Sequence, residues 1–388
     1  MRTYLDHNAS SPLRDEVRDA IAEALSLHGN PSSVHAEGRR VRALVEQARE
    51  QVAELARAEP RQVIFTSGGT EANITALSPG NVNAETADRT VCFIGAHEHP
   101  SVLAGGRFAP DRVQPVGVTR DGVIDFGDLE RRVETHRESE PEASFMVSLM
   151  FANNETGALQ PVAEAAALAR ENGGVLHCDA VQAAGKVPVD VAALGAHITS
   201  MSAHKIGGPQ GVGALALGNG MSSLRDVLLS GGGQELRARS GTENVPGIVG
   251  FGLAAEIARR EIVRMGEVAV LRNEMEQAIA AQAPGAVIFS RDTARLPNTT
   301  CFAVPGMKAE TLIIALDLAG IAVSAGSSCS SGKVEKSHVL QAMGVGDDLA
   351  TGAIRVSLGW NTTRDDVAAF IAAWSDVHER FSKEAEAA

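Results

Sequence analysis

Hydrophobic residues recur with two different periods along the chain, and the two periods alternate. Within residues 37–55, apolar side chains at positions 41, 44, 45, 48, 52 and 55 follow the spacing of a helix that is buried on one face. The apolar run "QVIF" comes next and ends in the glycines of "TSGG". This order predicts a helix, a short buried strand and a turn.

Short apolar runs bounded by glycine, proline or polar residues recur between residues 90 and 203. They are "TVCFIG", "SFMVSLM", "GVLHCDA" and "HITSMSA". Their continuous apolar character is typical of strands that are buried on both faces of a sheet. Because helical patterns alternate with such runs, we predict an α/β protein with a largely parallel sheet and functional residues at the strand ends.

A long helical pattern runs from Pro246 to Gln282. After it, the extended runs "AVIFS", "TTCFAV" and "IAVSAG" surround the helical "AETLIIALDLAG". We place a change of domain near residue 258 and predict a large domain of residues 16–257 and a small domain of residues 1–15 and 258–388. Since no flexible linker separates the two domains, we expect them to pack closely.

The composition indicates a globular protein and argues against two classes of partner. Of the 388 residues, 44% are hydrophobic, which suffices for a substantial core. A formal net charge of -13 without a basic run is unfavourable for binding nucleic acid. The N-terminus is polar and no apolar run reaches about 18 residues, so we expect a cytoplasmic protein that does not bind membranes.

Four scattered cysteines without a C-x-x-C pair indicate reduced thiols rather than a disulfide framework or a zinc site. Cys92, Cys178 and Cys301 lie within apolar runs and are expected to be buried. Cys329 lies in "AGSSCSSGK", a composition that favours a mobile, exposed loop. A thiolate in such a loop can move between a buried cofactor and an outside acceptor.

The segment "TSGGTEAN" follows a predicted strand and precedes a helical pattern. Gly68 and Gly69 can bring backbone N–H groups and the start of a helix against a phosphate, and Thr70 adds a hydroxyl group. A glycine-rich turn with a threonine cap has the same residues. The motif alone therefore leaves both interpretations open.

Only six lysines occur in the chain, and Lys205 in "SMSAHKIGGP" has unusual surroundings because its neighbours are small. Lys186 precedes a Val-Pro turn and is expected, like the other four, to be solvated. A lysine amine can form a Schiff base with pyridoxal phosphate, and desolvation lowers the pKa of the amine so that it can act as a base. Ser202 and His204 flank Lys205 as candidate phosphate donors.

Asp179 ends the predicted strand "GVLHCDA", where a buried carboxylate needs a cationic or strongly donating partner. That partner is either a structural ion pair or the protonated nitrogen of a pyridine ring. Gln182 lies near enough along the chain to reach another polar edge of the same ring. The succession of Asp-x-x-Gln and Ser-x-His-Lys therefore indicates a pyridoxal phosphate site more specifically than either motif does alone.

The spacing of the motifs does not fit a nucleotide site or a metal site. Five residues separate Gly326 from Gly332 where a P-loop has four, and Val334 replaces the magnesium-binding Ser or Thr. "HEH" and "HCD" contain metal-ligand residue types without the spacing of a metal site. We expect no resident metal, and allow only a transient contact of Cys329 with an iron–sulfur cluster.

Ten ordered motifs resemble the cysteine desulfurases of the NifS/IscS type, within the class V aminotransferase group of pyridoxal phosphate enzymes. They are "YLDHNASSPL", "HGNPSSVHAEGR", "FTSGGTEANI", "EHPSVL", "NNETGALQP", "HCDAVQ", "SAHKIGGPQGVGAL", "RSGTEN", "SAGSSCSSGKVEKSHVLQAMG" and "IRVSLGWNTT". The resemblance runs almost from end to end. Ser10, Ser11 and Cys178 depart from the residues usual in the family, but none of them is an expected ligand.

The resemblance implies a fold type I pyridoxal phosphate-dependent transferase. Its large domain has a mostly parallel seven-stranded sheet between helices, and its smaller α+β domain carries the catalytic-cysteine loop at about residues 326–336. The resemblance also implies a homodimer, in which Thr242 reaches the cofactor of the second subunit. The residues expected to contact the cofactor are Gly69, Thr70, His99, Asn154, Asp179, Gln182, Ser202, His204, Lys205 and Thr242.

The implied reaction takes sulfur from L-cysteine and gives L-alanine with a persulfide on Cys329. The persulfide then passes to an iron–sulfur scaffold or another acceptor protein. Lys205, Cys329 and His99 are the expected catalytic residues, and His99 is expected to stack on the cofactor and carry protons. Arg355 is expected to bind the substrate carboxylate, with Asn30 and Asn154 in the same pocket.

Two alternatives stay open at this point. A selenocysteine lyase or another class V enzyme would share the cofactor site, although Cys329 disfavours a plain aminotransferase. A non-catalytic scaffold that binds sulfur-carrier proteins is an alternative of a different class. The intact set of Lys205, Asp179 and His99 disfavours that scaffold.

Overall fold

The computed structural model describes residues 2–326 and 336–387, which form short strands and thirteen α-helices. The strands are β1 (Thr3–Tyr4), β2 (Val63–Thr66), β3 (Val91–Gly95), β4 (Val113–Val116), β5 (Phe145–Met150), β6 (Val175–Asp179), β7 (Ile198–Ser202), β8 (Gly213–Leu217), β9 (Val287–Ile288), β10 (Thr299–Ala303), β11 (Ile321–Ala322), β12 (Ser324–Ala325) and β13 (Ile354–Ser357). The helices are α1 (Asp15–Ser26), α2 (Ala36–Ala56), α3 (Gly69–Ala76), α4 (Pro79–Val82), α5 (Pro100–Leu103), α6 (Phe126–Ser139), α7 (Val162–Glu171), α8 (Val245–Glu261), α9 (Met265–Gln282), α10 (Ala309–Leu318), α11 (His338–Ala342), α12 (Asp347–Gly352) and α13 (Arg364–Ala387).

A seven-stranded sheet with the order β2-β8-β7-β6-β5-β3-β4 confirms the predicted α/β fold. The five strands from β7 to β4 are parallel, whereas β8 pairs antiparallel with both β7 and β2. All residues of β3, β5, β7 and β8 are buried, as expected for strands that are covered on both faces.

Helices α2 and α8 pack closely against each other because their contact residues are small. A Cβ atom added to Gly252 would lie 2.5 Å from the Cα atom of Ala48, so only glycine permits this approach. The rings of Phe65 in β2 and Phe251 in α8 meet edge to face, with centroids 6.3 Å apart. These contacts join the helical layer to the strand that leads into the "TSGG" turn.

A second, four-stranded antiparallel sheet has the order β12-β13-β10-β9, and β1 pairs separately with β11. Its core contains Phe302 and Trp374, whose rings are 5.2 Å apart. The helical pattern expected from Pro246 to Gln282 forms two helices, since a short 3-10 turn at Ile262–Arg264 separates α8 from α9. Val263 in this turn is 79% exposed, so the buried apolar face of the predicted helix is interrupted there.

The N-terminal segment links the two sheets. After β1, Asp6 bridges to Ser357, the last residue of β13, and Ser11 N then donates to the carbonyl oxygen of His204 after β7. The segment therefore lies against the turn that contains Lys205. Among residues 2–326 and 336–387, we find no helix that combines the length and the apolar character needed to span a bilayer.

Candidate active site

The carboxyl ends of β5, β6 and β7 lie at one edge of the parallel sheet and open onto a cavity of about 250 Å³. This is the edge where ligands bind in open α/β sheets. Nine of the predicted site residues line the cavity: Gly69, Thr70, His99, Asn154, Asp179, Gln182, Ser202, His204 and Lys205. The sequence analysis did not identify the other lining residues, which are Asn73, Ser101, Met150, Ala152 and Val181.

Lys205 ends a short 3-10 turn that follows β7 directly. Its Nζ atom donates to the carbonyl oxygen of Asn8 at 2.6 Å and to that of Ala9 at 2.8 Å. Both acceptors belong to the N-terminal segment. The main chain of that segment therefore sets the position of the amine at the cavity wall.

Asp179 is the last residue of β6 and is 6% exposed. Asn73 Nδ2 donates to its Oδ2 atom at 2.7 Å, and the backbone N–H of Val181 donates to its Oδ1 atom at 2.9 Å. Hydrogen bonds to both oxygens fix the carboxylate at the cavity wall. Asn73 comes from α3, so the helix that starts at the "TSGG" turn also orients this carboxylate.

The "TSGG" turn lies at the start of α3, and its Gly69 lines one end of the cavity, the Gly69 cup. A Cβ atom on Gly69 would lie 3.0 Å from Val181 Cγ2, so a larger residue would crowd the cavity. Thr70, Ser202 and His204 line the same end. Burial, together with the charges of Lys205 and Lys186, lowers the pKa of His204 to about 4. A neutral imidazole at pH 7 can donate one hydrogen bond to an anion.

His99 is the residue before α5, and its Nδ1 atom accepts from the backbone N–H of Ser101 at 3.1 Å. The neutral ring therefore carries its proton on Nε2. Burial lowers the pKa of His99, the charge of Asp179 opposes this, and Lys205 lowers it further. The site thus holds an imidazole that favours the uncharged form.

Comparison with known proteins gives the same family as the motifs. The model of the family described as "Aminotransferase class-V" matches residues 3–370. A cysteine desulfurase of Cereibacter sphaeroides is 42% identical over 368 residues, which are 94% of this chain and 93% of that protein. The chain belongs to the cysteine desulfurases of the class V aminotransferase family. Enzymes of this family work with pyridoxal phosphate.

Solved structures of similar proteins agree with this assignment. A NifS-like protein from Rickettsia africae ESF-5 has a TM-score of 0.85 at 34% identity, with 98% of this chain and 100% of that chain covered. The structure of SspA in complex with cysteine has a TM-score of 0.77 at 28% identity, with 92% and 98% covered. The likeness therefore extends over both sheets.

The donors and acceptors around the cavity fit pyridoxal phosphate. Asn154 lines the cavity, and its buried Oδ1 atom has no hydrogen-bond partner among the described residues. A buried amide oxygen in this state is costly, and a ligand hydroxyl group would satisfy it. Asp179 offers a carboxylate for a ring N–H, Lys205 an amine for the aldehyde, and the Gly69 cup a place for the phosphate.

Arg355 lies in β13, is 2% exposed and does not line the cavity. Its Nη2 atom donates to Asp6 Oδ1 at 2.8 Å, and its Nη1 atom donates to the carbonyl oxygen of Asn154 at 3.1 Å. The guanidinium group therefore contacts Asn154, which lines the cavity, but does not line the cavity itself. The sequence analysis did not identify Asp6 as its partner.

The remaining predicted site residues lie elsewhere in this single chain. Asn30 is exposed before α2, and its Oδ1 atom accepts from the backbone N–H of Ser32. Thr242 is exposed and lines a separate cleft beside β2. Cys329 lies outside the described residues, as do positions 327–335 of the loop expected at about residues 326–336. The roles of all three stay predictions.

The other three cysteines are buried, as the sequence predicts. Burial raises the pKa of the thiols of Cys92, Cys178 and Cys301, and nearby carboxyl groups raise it further. A thiol of this kind is a poor nucleophile because little thiolate forms. The part of the chain that the structure describes contains no cluster of three potential metal ligands.

Proposed function

We propose that the protein is a pyridoxal phosphate-dependent cysteine desulfurase that gives L-alanine and a persulfide on Cys329. The observation that carries the proposal is the one cavity lined by the amine of Lys205, the carboxylate of Asp179 and the cup at Gly69. The 42% identity to a cysteine desulfurase supports the choice of substrate.

The residues on the cavity wall have separate roles in holding the cofactor. Asp179 would accept a hydrogen bond from the ring nitrogen, and Asn154 and Gln182 would contact the ring hydroxyl. When bound, pyridoxal phosphate supplies an electron-accepting ring that stabilises the charge left when a proton leaves the substrate Cα. The phosphate would be bound by Gly69, Thr70, Ser202 and His204.

The chain's own groups then move protons and sulfur. Lys205 Nζ removes the Cα proton of cysteine, and Arg355 binds the substrate carboxylate. His99, which lines the cavity, would hold a proton on Nε2 for the leaving alanine. The Cys329 thiolate attacks the substrate sulfur, so that an S–S bond forms, the C–S bond breaks, and alanine leaves with a new Cβ–H bond.

Absorbance and persulfide formation test these roles separately. Lys205→Ala should lose the visible absorption band of the bound cofactor, and Lys308→Ala, at an exposed lysine, should keep it. Cys329→Ser should keep the band but form no persulfide from cysteine, whereas Cys178→Ala should form it. A visible band in Lys205→Ala would refute the cofactor assignment.

Sulfide release distinguishes the alternatives that the sequence left open. If Cys329→Ser releases sulfide from cysteine at the wild-type rate in the presence of a thiol reductant, Cys329 is not the nucleophile. A wild-type protein that stays colourless with pyridoxal phosphate would support the non-catalytic scaffold. A much higher rate on selenocysteine than on cysteine would support the lyase.

We also propose a homodimer in which Thr242 of one protomer reaches the phosphate cup of the other. Gly69, Ser202 and His204 line an outer depression of about 320 Å³ as well as the inner cavity, so the cup is accessible from outside. The exposure of Thr242 supports its availability to a partner. Analytical ultracentrifugation and the cofactor affinity of Thr242→Ala test this proposal.

The division into residues 16–257 and residues 1–15 with 258–388 remains our proposal for the domains. It is supported by two hydrophobic cores, one that includes α2 and α8 and another that includes Leu5 and Trp374. We further propose delivery of the sulfur to an iron–sulfur scaffold protein in the cytoplasm. Transfer of labelled sulfur to purified candidate scaffolds tests the acceptor.

A further inference from the structure

Lys186 is a buried amine next to the cofactor cavity, although its sequence context predicts a solvated side chain. It is 7% exposed, and its Nζ atom donates to Gln182 Oε1 at 2.8 Å and to Asn8 Oδ1 at 2.9 Å. Both acceptors are neutral amide oxygens, and among the described residues no carboxylate pairs with it. Burial lowers the pKa of Lys186 well below its ordinary value, and the charges of Lys205 and Arg355 lower it further.

A buried lysine without an acidic partner is costly, and a methionine of similar length would fill the space without that cost. The hydrogen bonds of Lys186 indicate what the amine contributes. Gln182 and Asn8 both have amide groups that could be turned either way, and each turns its oxygen toward Lys186. An amine that donates two hydrogen bonds requires this orientation of both amides.

The orientation of Gln182 matters because the residue lines the cofactor cavity. With Oε1 held by Lys186, the NH₂ end of Gln182 donates to the carbonyl oxygen of Asn8 at 2.9 Å. The second N–H of the same group remains for a ligand atom that accepts a hydrogen bond. In the opposite orientation, the amide would place an acceptor there.

The same contacts reach Lys205 through Asn8. The carbonyl oxygen of Asn8 accepts from Lys205 Nζ at 2.6 Å, while its side-chain oxygen accepts from Lys186. The NH₂ end of Asn8 donates to Thr299 Oγ1 at 2.9 Å, so the side chain is held at both ends. Lys186 and Lys205 therefore both donate to Asn8, one to its side-chain oxygen and the other to its main-chain oxygen.

We propose that Lys186 is a positioning residue of the cofactor site, which holds the Gln182 amide with its NH₂ group toward the cavity and keeps Asn8 in place for Lys205. The inference deepens the proposed function and rests on the cavity being a pyridoxal phosphate site. Lys186 touches neither the cofactor nor the substrate in this arrangement and acts only through Gln182 and Asn8.

A double-mutant cycle between positions 186 and 182 tests the inference. Cofactor affinity is measured by titrating apoprotein with pyridoxal phosphate, and the visible absorption maximum is recorded for each variant. Lys186→Met should weaken the affinity about 5- to 30-fold, the factor expected for losing about one well-placed hydrogen bond, and should shift the absorption maximum. In a Gln182→Met background, Lys186→Met should change the affinity by a smaller factor than it does in the wild type, since only its contact with Asn8 is then left to lose.

Controls distinguish positioning from stability. Lys308→Met, at an exposed lysine, should bind the cofactor like the wild type, and thermal unfolding of each apoprotein reports whether it folds. If Lys186→Met does not fold, Lys186→Gln takes its place, since it keeps a donor and should retain an affinity within about fivefold of wild type. A larger loss in Lys186→Gln would contradict the proposal.

Two further outcomes would overturn the inference. One is wild-type affinity and absorption in Lys186→Met. The other is a double variant in which the two effects multiply in full, since the part of the Lys186 effect that passes through Gln182 is already lost when Gln182 is replaced. Failure of the wild-type protein to bind pyridoxal phosphate would instead refute the proposed function.

Discussion

Replacing Glu155 by glutamine removes a carboxyl group that is 1% exposed and lies beside Gly326 and Ser337, two described residues close to either end of positions 327–335. Ser337 Oγ donates to its Oε2 atom, and a Cβ atom on Gly326 would lie 2.8 Å from the same oxygen. Burial raises the pKa of Glu155 from its ordinary value of 4.5 to about 7, although the Ser337 hydrogen bond and the charge of Arg355 oppose this.

The higher pKa in the folded state makes stability depend on pH. Between pH 4.5 and pH 7 the folded state keeps a proton on Glu155 that the unfolded state has lost, so the free energy of unfolding falls as the pH rises. The full difference corresponds to about 3 kcal/mol. About 2.5 kcal/mol of it lies between pH 5 and pH 8. Glutamine does not titrate and can still accept from Ser337, so Glu155→Gln should lack this loss.

Urea unfolding followed by circular dichroism from pH 5 to pH 8 measures the effect. The wild-type free energy of unfolding should fall by about 2.5 kcal/mol more than that of Glu155→Gln across this range. Glu130→Gln, at an exposed glutamate, is the matched control and should follow the wild type. Parallel curves for the wild type and Glu155→Gln would show that the buried carboxyl does not titrate in this range.

Three further variants test other contacts. Arg49→Met should destabilise the fold by about 3–5 kcal/mol in thermal or urea unfolding, since Glu235, which accepts from Arg49 at 2.7 and 2.8 Å, would keep a buried charge without its partner. Gly69→Ala should weaken pyridoxal phosphate binding about tenfold in a titration of apoprotein, because its Cβ atom would crowd Val181. In Cys329→Ser, the three buried thiols should resist alkylation by iodoacetamide until urea is added, as mass spectrometry would detect.

The strands of the central sheet were predictable where they are long and continuously apolar. The run "SFMVSLM" predicts β5 because it is short, mostly apolar and bounded by polar residues, and the structure shows that all six residues of the strand are buried. Strand β8 was not predicted, since "GALAL" is made of glycine, alanine and leucine, and alanine and leucine favour helices. Only the structure therefore shows that β8 lies antiparallel between β7 and β2.

The candidate site was predictable where a motif carries its own chemistry. Lys205 and Asp179 stand out in the sequence. A lysine among small residues is unusual, and a carboxylate at the end of a buried strand requires a bonding partner. Lys186 gave no such signal, because its burial depends on Asn8, which is far away in the chain. Asp6 was missed for the same reason, since only the fold brings it to Arg355.

The position of the Asn8 carbonyl oxygen, in a segment that joins the two sheets, links movements of the sheets to the amine of Lys205. The N-terminal segment is tied to the four-stranded sheet through Asp6 and Ser357 and to the seven-stranded sheet through Ser11. Lys205 takes its hydrogen-bond acceptors from the middle of this segment. A small rotation between the two sheets would thus move the acceptors of the Lys205 amine. A substrate that draws Arg355 toward itself would also alter the surroundings of Lys205, because Arg355 is bonded to Asp6 in the same segment.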